Sequence, residues 1–302
     1  MISLAELNCE NLFDVRHDEM KQDIEYTPKG SRHWTFERFK AKVENIQQAL
    51  LSCLSDNEET LPDLIALCEV ENDYVLKTLT TKYKFKKRGY RYVMTTSPDL
   101  RGIDVALMYN PQTFKPYNQR TVRIDCLEGM KLTRDLLCIS GKTVNEDTIH
   151  VIVAHAPSMT GGKKATDPFR EHVSNEINHI IDSIRHINVN ANIIVTGDFN
   201  ATQKDESVKM IIRNDMHDIS EDAEGENGAM ATYKYRGRWQ KIDHIIVSTP
   251  LKNNLRGCYI NDAPFLLEED SKGGVKPKRT FLGYKYNGGY SDHLPVVAIF
   301  DL

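Results

Sequence analysis

The stretch Ile193-Ile194-Val195-Thr196-Gly197-Asp198-Phe199-Asn200 introduces a pattern that recurs along the chain. Its first four residues are apolar or β-branched, which is typical of a strand covered on both faces. The run stops at a glycine, followed by a carboxylate and, two residues later, a carboxamide. Because residues two apart in an extended chain point the same way, Asp198 and Asn200 are expected to face one surface. The stretch therefore predicts a buried strand that presents two polar side chains at its carboxyl end.

Other apolar runs of the chain also stop or start at polar residues. Two runs reverse the order, with Asp243 at the head of Ile242–Val247 and Ser291-Asp292-His293 just before Leu294–Phe300. Antiparallel neighbours bring the end of one strand beside the start of the next, so a sheet of mixed directions can gather these groups at one edge. A purely parallel sheet does so less easily. The runs that stop at polar residues are Ile2–Leu7 at Asn8-Cys9-Glu10, Leu64–Cys68 at Glu69 and His150–Ala154 at His155.

Two amphipathic helices accompany the strands. Apolar residues recur three and four apart in Thr35–Leu54 and in Asp167–Ile187, and Asp167-Pro168 suits the start of the second helix. The acidic, turn-rich stretch Glu221–Gly228 is too short to separate domains. We therefore expect one α/β layered domain over residues 1–302.

The composition is that of an ordinary soluble protein of 302 residues. Hydrophobic residues make up 40% and charged residues 27%, which excludes a disordered, collagen-like or coiled-coil chain. No apolar run is long enough to cross a membrane, so no integral membrane segment is predicted. A formal charge of −4 argues against a protein that grips nucleic acid by bulk charge, but not against an enzyme that touches phosphates locally.

The compartment stays open at this stage. None of the six cysteines forms a CxxC pair, so a zinc site is not expected. The chain starts almost directly with a strand-like run and shows no export leader. This fits a cytoplasmic protein, or an exported one whose signal peptide has been removed.

The polar residues at the strand ends suit one kind of chemistry. Carboxylate and carboxamide oxygens without a thiolate favour a hard cation such as Mg²⁺ or Mn²⁺, and histidines can donate to a phosphate. Taken singly, Glu69 could be a strand-end cap, Asp292 a turn cap and His155 a core histidine. Their joint occurrence favours metal-assisted phosphoester hydrolysis. The candidates are Asn8, Glu10, Glu69, Asp104, His155, Asp198, Asn200, Asp243, Asp292 and His293.

The same residues carry a family resemblance that runs from residue 7 to residue 295. The chain resembles the endonuclease/exonuclease/phosphatase superfamily, which includes exonuclease III-type and pancreatic-type nucleases, and most resembles a bacterial branch whose membership does not specify a substrate. Gly-Asp-Phe-Asn and Ser-Asp-His are together fairly specific. The matching stretches are Leu7–Asn11, Ile65–Glu69, Arg101–Leu107, Val153–Ser158, Gly197–Asn200, Lys241–His244 and Ser291–Pro295.

The resemblance implies a fold and a division of roles. The fold would be a four-layer sandwich, two packed mixed β-sheets flanked by helices, with the site at one edge. Glu69 would be the main Mg²⁺ ligand, and Asp198 would position or deprotonate the attacking water. The other implied roles are metal ligation, directly or through water, by Asn8, Glu10 and Asp292; orientation of the water or phosphate by Asn200; and hydrogen bonding to the phosphate by His155, oriented by Asp104, and by His293, held by Asp243.

Several departures bear on the substrate. Glu10 stands where nucleases of the superfamily often carry Asp, and Ala156 stands where many members have a large aromatic residue. The mixed basic and aromatic stretch Lys82–Tyr92 could be a phosphate rim, but a solvated edge strand is the preferred interpretation. Thr232–Trp239 is a stronger candidate because it leads to Asp243. Arg101 and Arg170 are further candidates for phosphate contact.

The sequence thus predicts a Mg²⁺-dependent phosphoesterase that hydrolyses a phosphodiester, in the manner of a nuclease, by in-line attack of water. One alternative is a phosphomonoesterase acting on a small phosphorylated metabolite or lipid headgroup. Another is a non-catalytic binding module of the same fold. The expected partner is a phosphoester substrate, which could be a nucleic acid, and no partner protein is implied.

Overall fold

Alternating strands and helices make up the computed structural model, which describes residues 1–54, 61–81 and 83–302. Some helices begin where a side chain satisfies a free backbone amide, as at Thr35, whose hydroxyl accepts from the backbone N–H of Arg38. The helices are α1 (Phe36–Leu51), α2 (Asp73–Thr80), α3 (Tyr83–Arg88), α4 (Lys163–Ile187), α5 (Glu206–Ile212) and α6 (Thr249–Asn253), with 3₁₀ turns at Ile24–Tyr26 and Pro264–Leu266. The strands are β1 (Ile2–Leu12), β2 (Leu64–Val70), β3 (Arg91–Met94), β4 (Asp104–Tyr109), β5 (Phe114–Val122), β6 (Leu136–Thr143), β7 (Thr148–His155), β8 (Asn192–Asp198), β9 (Met216–Asp218), β10 (Tyr233–Tyr235), β11 (Arg238–Gln240), β12 (Asp243–Ser248), β13 (Leu255–Ile260), β14 (Leu267–Glu269), β15 (Val275–Pro277), β16 (Phe281–Leu282), β17 (Lys285–Tyr286) and β18 (Val296–Phe300).

Two six-stranded sheets form the body of the protein. The first has the strand order β13-β18-β1-β2-β4-β3 and the second has the order β5-β6-β7-β8-β12-β9. Strands β1 and β2 are parallel, as are β7 and β8, whereas the other neighbours are antiparallel. The prediction of mixed sheets is confirmed.

The layers follow from the alternation of side chains along the strands. On β7, Val151 and Val153 belong to the core shared with the first sheet, whereas Ile152 packs with Val173 and Ile177 of α4. The outer face of the first sheet is covered by α1, through residues such as Val43 and Ile46. The order of layers is therefore helix, sheet, sheet, helix, which confirms the predicted sandwich. Among the described helices, none is both long enough and apolar enough to cross a bilayer.

Helix α4 begins four residues earlier than predicted, so Pro168 lies inside the helix instead of opening it. The side chains of Thr166 and Arg170 explain the earlier start. The hydroxyl of Thr166 donates to the carbonyl of Gly162, and the guanidinium of Arg170 donates to the carbonyl of Lys163. These bonds secure the turn that precedes the proline.

The expected edge strand at Lys82–Tyr92 is only partly correct. Tyr83–Arg88 form the short helix α3, and the edge strand β3 begins at Arg91; Lys82 lies outside the described residues. The helix forms because Phe85 is fully buried and packs edge-on against Tyr90, with ring centroids 5.1 Å apart. Burial of one aromatic side chain outweighs the strand-like alternation of the sequence.

Candidate active site

The second sheet brings three predicted site residues together through its register. Asp198, at the end of β8, pairs with His155 of the parallel strand β7 and with Asp243 of the antiparallel strand β12. Gly197 permits this close pairing, because a Cβ atom there would lie 1.9 Å from the carbonyl oxygen of Ala154. The ends of β7 and β8 and the start of β12 therefore meet at one edge of this mixed sheet, whereas the sequence pattern predicted all the site residues at the edge of a single sheet.

The first sheet contributes its residues through irregular strand ends. The pairing of β1 with β2 shifts register between Asn8 and Leu12, and that of β2 with β4 shifts beside Glu69. Glu10 and Glu69 have positive φ angles, 50° and 61°, and Asn200 has a φ of 48°. Non-glycine residues rarely adopt such angles, and strained backbone of this kind clusters at functional sites. The bulges turn the carboxylates toward the other sheet.

Asp198 is the centre of the cluster. Its Oδ2 accepts a hydrogen bond from the Asn8 side-chain amide at 3.0 Å, and its Oδ1 accepts from the backbone N–H of Asn200 at 2.8 Å. The Nε2 atom of His155 lies 3.6 Å from Asp198 Oδ2 and 3.9 Å from Glu69 Oε1. The site residues of the two sheets therefore meet around one fixed carboxylate.

A second histidine approaches from the loop before β18. His293 Nδ1 lies 2.8 Å from Asp243 Oδ2, and the hydroxyl of Thr232 donates to the same oxygen. With Nδ1 held in this way, Nε2 of His293 is turned toward the cleft, 3.8 Å from Asp292 Oδ1. The ring of Tyr233 stacks on His293 with centroids 4.7 Å apart. The predicted support of His293 by Asp243 is present in the structure.

The two imidazoles differ in their affinity for a proton. Burial lowers the pKa of His155 well below its ordinary value, and the guanidiniums of Arg134 and Arg101 lower it further. Burial also acts to lower the pKa of His293, but the Asp243 carboxylate outweighs it, so this pKa lies well above its ordinary value. His293 is therefore the more basic of the two rings.

The two central carboxylates are also shifted in opposite directions. Burial, followed by repulsion from Asp243, raises the pKa of Asp198 to about 7. For Glu69 burial acts to raise the pKa, but Arg101 and His293 outweigh it and the pKa is lowered. Asp198 can therefore take up a proton near neutral pH, whereas Glu69 remains an anion.

The donor set fits a hard divalent cation. The oxygens belong to the carboxylates of Glu10, Glu69 and Asp292 and to the side-chain amide of Asn8. None of these four side chains carries a thiolate. Asp198, Asp243 and His293 also offer ligand atoms that lie within 4.8 Å of one another. Asp243 Oδ2 already accepts two hydrogen bonds, whereas Asp243 Oδ1 has no hydrogen-bond partner among the described residues.

Arg279 lies between two of these carboxylates and was not predicted from the sequence. Its Nε lies 3.2 Å from Glu10 Oε1, and its terminal nitrogen lies 2.8 Å from Asp292 Oδ2. Glu10 Oε2 accepts from the backbone N–H of Thr280 at 2.6 Å, and the buried ammonium of Lys42 is 4.0 Å away. Both carboxylates are thus engaged by the protein, since Glu69 Oε2 likewise accepts from the backbone N–H of Asn11 at 2.8 Å.

The predicted orientation of His155 by Asp104 is wrong. Asp104 Oδ1 accepts from the hydroxyl of Thr95 at 2.6 Å and from the backbone N–H of Ser97 at 3.0 Å. The Nδ1 atom of His155 has no hydrogen-bond partner among the described residues. Asp104 instead holds the segment after β3, because Thr95 and Ser97 are nearer donors.

The two arginine candidates differ in whether their guanidinium groups are available to a phosphate. Arg101 lies at the cleft, where its guanidinium is 3.4 Å from Glu69 Oε1 and 2.7 Å from Asn11 Oδ1. Arg170 is 1% exposed and donates to the carbonyl of Pro157 and to Asp167, so it is not available to a phosphate. It supports the loop after His155, which corrects the prediction.

Three further residues beside the site escaped the sequence analysis. Arg134 donates to the carbonyls of His155 and Ala156 at 3.2 and 2.6 Å, and Lys42 donates to the hydroxyl of Thr280 at 2.6 Å. Glu6 is fully buried on β1, and neither of its carboxylate oxygens has a hydrogen-bond partner among the described residues. A charged residue inside the apolar run Ile2–Leu7 was the only one of these signals visible in the sequence.

Comparisons with known proteins agree with this architecture. A model of the Endonuclease/Exonuclease/phosphatase family matches residues 3–301. A search of the curated proteins finds no match. Members of the family are generally dependent on divalent metal ions.

Three solved structures illustrate the likeness. The mannosyl-6-phosphatase of Bacteroides thetaiotaomicron VPI-5482 is 16% identical with a TM-score of 0.64, and all of both chains is covered. A truncated TDP2 of Caenorhabditis elegans is 16% identical with a TM-score of 0.62, covering 100% of this chain and 97% of the other. The human Nocturnin catalytic domain with bound sulfate is 16% identical with a TM-score of 0.57, covering 98% and 93%. At such identities the likeness shows the fold. The family match itself spans nearly the whole chain, so the protein belongs to the Endonuclease/Exonuclease/phosphatase family and is a hydrolytic enzyme that acts on phosphoester bonds.

Proposed function

We propose that the protein is a Mg²⁺-dependent phosphoesterase that hydrolyses a phosphodiester by in-line attack of water. The observation that carries this proposal is the convergence of Asp198, His155 and His293 beside an all-oxygen donor set. Nε2 of His155 lies 3.6 Å from Asp198 Oδ2, and Nε2 of His293 is 3.8 Å from Asp292 Oδ1. One carboxylate can thus activate water while two imidazoles surround the phosphate.

The first-sheet residues would hold the metal ion. Glu69 is the main ligand, with Asn8, Glu10 and Asp292 binding directly or through water. A bound Mg²⁺ polarises the phosphoryl oxygens and offsets their negative charge. Mn²⁺ has the same ligand preference and is expected to substitute.

The remaining site residues carry the proton and the developing charge. Asp198 accepts a proton from the attacking water, and a pKa of about 7 suits a group that must take up a proton near neutral pH. Asn200 orients the water or the phosphate. His293 and His155 donate hydrogen bonds to the phosphoryl oxygens as their charge grows. A non-catalytic module would be expected to have lost one of these groups, and all of them are present.

A phosphomonoesterase is the second candidate, and the two arginines of the cleft favour it. The side chain of Arg101 is 43% exposed and that of Arg279 is 38% exposed, beside Glu69 and Asp292 respectively. Both can pair with the second negative charge of a monoester dianion. The two candidates share the water-activating residues and differ in what the arginines contact.

Hydrolysis of four substrates tests the proposal. We expect bis-p-nitrophenyl phosphate and plasmid or abasic-site DNA to be cleaved faster than p-nitrophenyl phosphate with Mg²⁺, and all activity to stop with EDTA. Asp198→Asn, prepared in the same way, is the matched control for contaminating hydrolases and should retain less than about one part in 10³ of the activity. Cleavage of the monoester alone would establish the second candidate instead. Activity that survives EDTA or the Asp198 change would overturn both.

A further inference from the structure

A β-hairpin carries a row of aromatic rings from the cleft to the surface. Strands β10 and β11 pair Tyr233 with Gln240 and Tyr235 with Arg238, leaving Arg236 and Gly237 in the turn with positive φ angles of 51° and 83°. Two positive φ angles define the tight turn that best fits the twist of paired strands. The hairpin is thus rigid up to its tip.

The hairpin is anchored by the face opposite the aromatic row. Lys234 points away from the two tyrosines because neighbouring residues of a strand alternate. Its ammonium donates to the carbonyl of Val275 at 2.8 Å, pairs with Asp270 at 3.0 Å and lies 5.2 Å from the ring of Trp239. The base of the hairpin is also held through a β-bridge between Tyr233 and His293.

The row starts at the histidine of the cleft. Tyr233 stacks on His293 with centroids 4.7 Å apart, and Tyr235 lies parallel to Tyr233, with centroids 6.4 Å apart and planes inclined by 9°. The last ring, Tyr235, is 48% exposed. The guanidinium of Arg236 lies 5.2 Å from its centroid. Exposure by itself does not distinguish Tyr235, because Tyr117 and Tyr284 are more exposed. What distinguishes it is its parallel alignment with Tyr233 and, through Tyr233, with His293 of the cleft.

We propose that Tyr233 and Tyr235 form a subsite that stacks on a nucleobase of the substrate, next to the phosphate that is cleaved. This deepens the proposed function and rests on it for the position of the scissile phosphate beside His293. A group esterified to that phosphate has the aromatic row within its reach. Bases stack on tyrosines with little dependence on sequence, and Arg236 and Arg238 at the tip suit the phosphates of a neighbouring nucleotide.

Equilibrium binding separates the base from the phosphate. Thymidine 5′-monophosphate and 2-deoxyribose 5-phosphate share sugar and phosphate but differ in the base, and the Asp198→Asn background prevents their turnover. In that background we expect the base to strengthen binding about tenfold, Tyr235→Ala to abolish this difference, and Tyr235→Phe to keep it. Tyr117→Ala is the matched control, because Tyr117 is 60% exposed on β5, at the far edge of the second sheet.

Two further ligands, a thymidine trinucleotide and phosphotyrosine, complete the experiment. Isothermal titration calorimetry measures the affinity of each ligand for each variant. A thymidine trinucleotide that binds more tightly than the monophosphate, with the gain lost in Arg236→Ala, supports a strand as the source of the base; equal binding supports a free nucleotide. The proposal is overturned if thymidine 5′-monophosphate and 2-deoxyribose 5-phosphate bind with equal affinity to the protein that keeps Tyr235. It is also overturned if phosphotyrosine, whose aromatic group is not a base, binds more tightly than thymidine 5′-monophosphate. Base-dependent binding in a protein that hydrolyses no phosphoester would instead remove the proposed function and leave the subsite.

Discussion

Strand β12 contributes one residue to each of two buried histidine–aspartate pairs. These two residues, Asp243 and His244, are consecutive, so their side chains face opposite sides of the second sheet. Asp243 turns toward the cleft and holds Nδ1 of His293 at 2.8 Å. His244, the next residue, turns the other way and places its Nδ1 2.8 Å from Asp218 Oδ2. Each aspartate also accepts a hydrogen bond from a hydroxyl, that of Thr232 on Asp243 and that of Ser220 on Asp218.

The pairs differ in what the second ring nitrogen meets. Nε2 of His244 is 2.8 Å from the carbonyl oxygen of Ala201, so both nitrogens of this ring are satisfied. Among the described residues, Nε2 of His293 makes no hydrogen bond; it lies 3.8 Å from Asp292 Oδ1, beyond hydrogen-bond distance. Burial acts to lower both pKa values, but the aspartate outweighs it in each pair and both pKa values are raised. A buried histidine–aspartate pair is therefore not sufficient for a catalytic role. The histidine must also have a ring nitrogen that can donate to the substrate.

The largest expected effect is the loss of that free donor. We expect His293→Ala to lower kcat/KM for bis-p-nitrophenyl phosphate about 10³-fold, because a donor to the phosphoryl oxygen disappears. The free energy of unfolding should also fall, by about 4 kcal/mol, because the buried Asp243 loses its cationic partner even though Thr232 still donates to it. Steady-state kinetics and urea unfolding measure the two quantities. Activity within tenfold of wild type would remove His293 from the proposed mechanism.

The matched change in the other pair should lower the unfolding free energy but leave kcat/KM almost unchanged. His244→Ala leaves the fully buried Asp218 without its cationic partner, which typically costs about 4 kcal/mol of the unfolding free energy. Under conditions in which the variant is folded, its kcat/KM should stay within about threefold of the wild-type value. The reason is that both ring nitrogens of His244 already have partners inside the protein. A loss of activity comparable to that of His293→Ala would show that the two pairs are not distinguished by their open nitrogen.

The sequence predicted the members of one pair and overlooked the other for a physical reason. Apolar runs that end at polar residues locate strand ends, so Asp198, Asp243 and His293 could be placed at one edge from the chain alone. His244 follows Asp243 directly, and only its alternation along β12 shows that it faces away from the cleft. Its partner Asp218 is 26 residues earlier, and no local signal connects them.

The bulges and long-range cations could not be predicted for a related reason. The positive φ angles of Glu10 and Glu69 arise where the register of paired strands shifts, which depends on partners far away in sequence. Arg279 reaches Glu10 across 269 positions. Asp104 was assigned to His155 on the family resemblance, but Thr95 and Ser97 occupy its oxygens. Local pattern thus located the elements, whereas side-chain competition decided the contacts.

The closed pair also predicts how stability depends on pH. The pKa of His244 is raised to about 9, above an ordinary value near 6.5, because the Asp218 carboxylate outweighs the effect of burial. A pKa raised on folding stabilises fully below the unfolded value, and the contribution is lost as pH rises through 9. Between pH 6.5 and pH 10 the unfolding free energy of the wild type should therefore fall by about 3 kcal/mol more than that of His244→Ala. Parallel urea-unfolding curves for the two proteins across this range would contradict the assignment of a charged His244.

The smallest effects should come from the two hydroxyls, and they sharpen the comparison most closely. Ser220→Ala removes the hydroxyl's hydrogen bond to Asp218 and the one it accepts from the backbone N–H of Ile245, and it should lower the unfolding free energy by about 1–2 kcal/mol with no change in kcat/KM. Thr232→Val removes the equivalent bond to Asp243, with a similar effect on stability, but here kcat/KM should fall about fivefold. The difference arises because Asp243 holds a ring whose Nε2 must be aimed at the phosphate, whereas Asp218 holds one whose second nitrogen is already fixed by Ala201. Equal kinetic effects in the two variants would mean that the hydroxyls stabilise the aspartates without affecting the aim of His293.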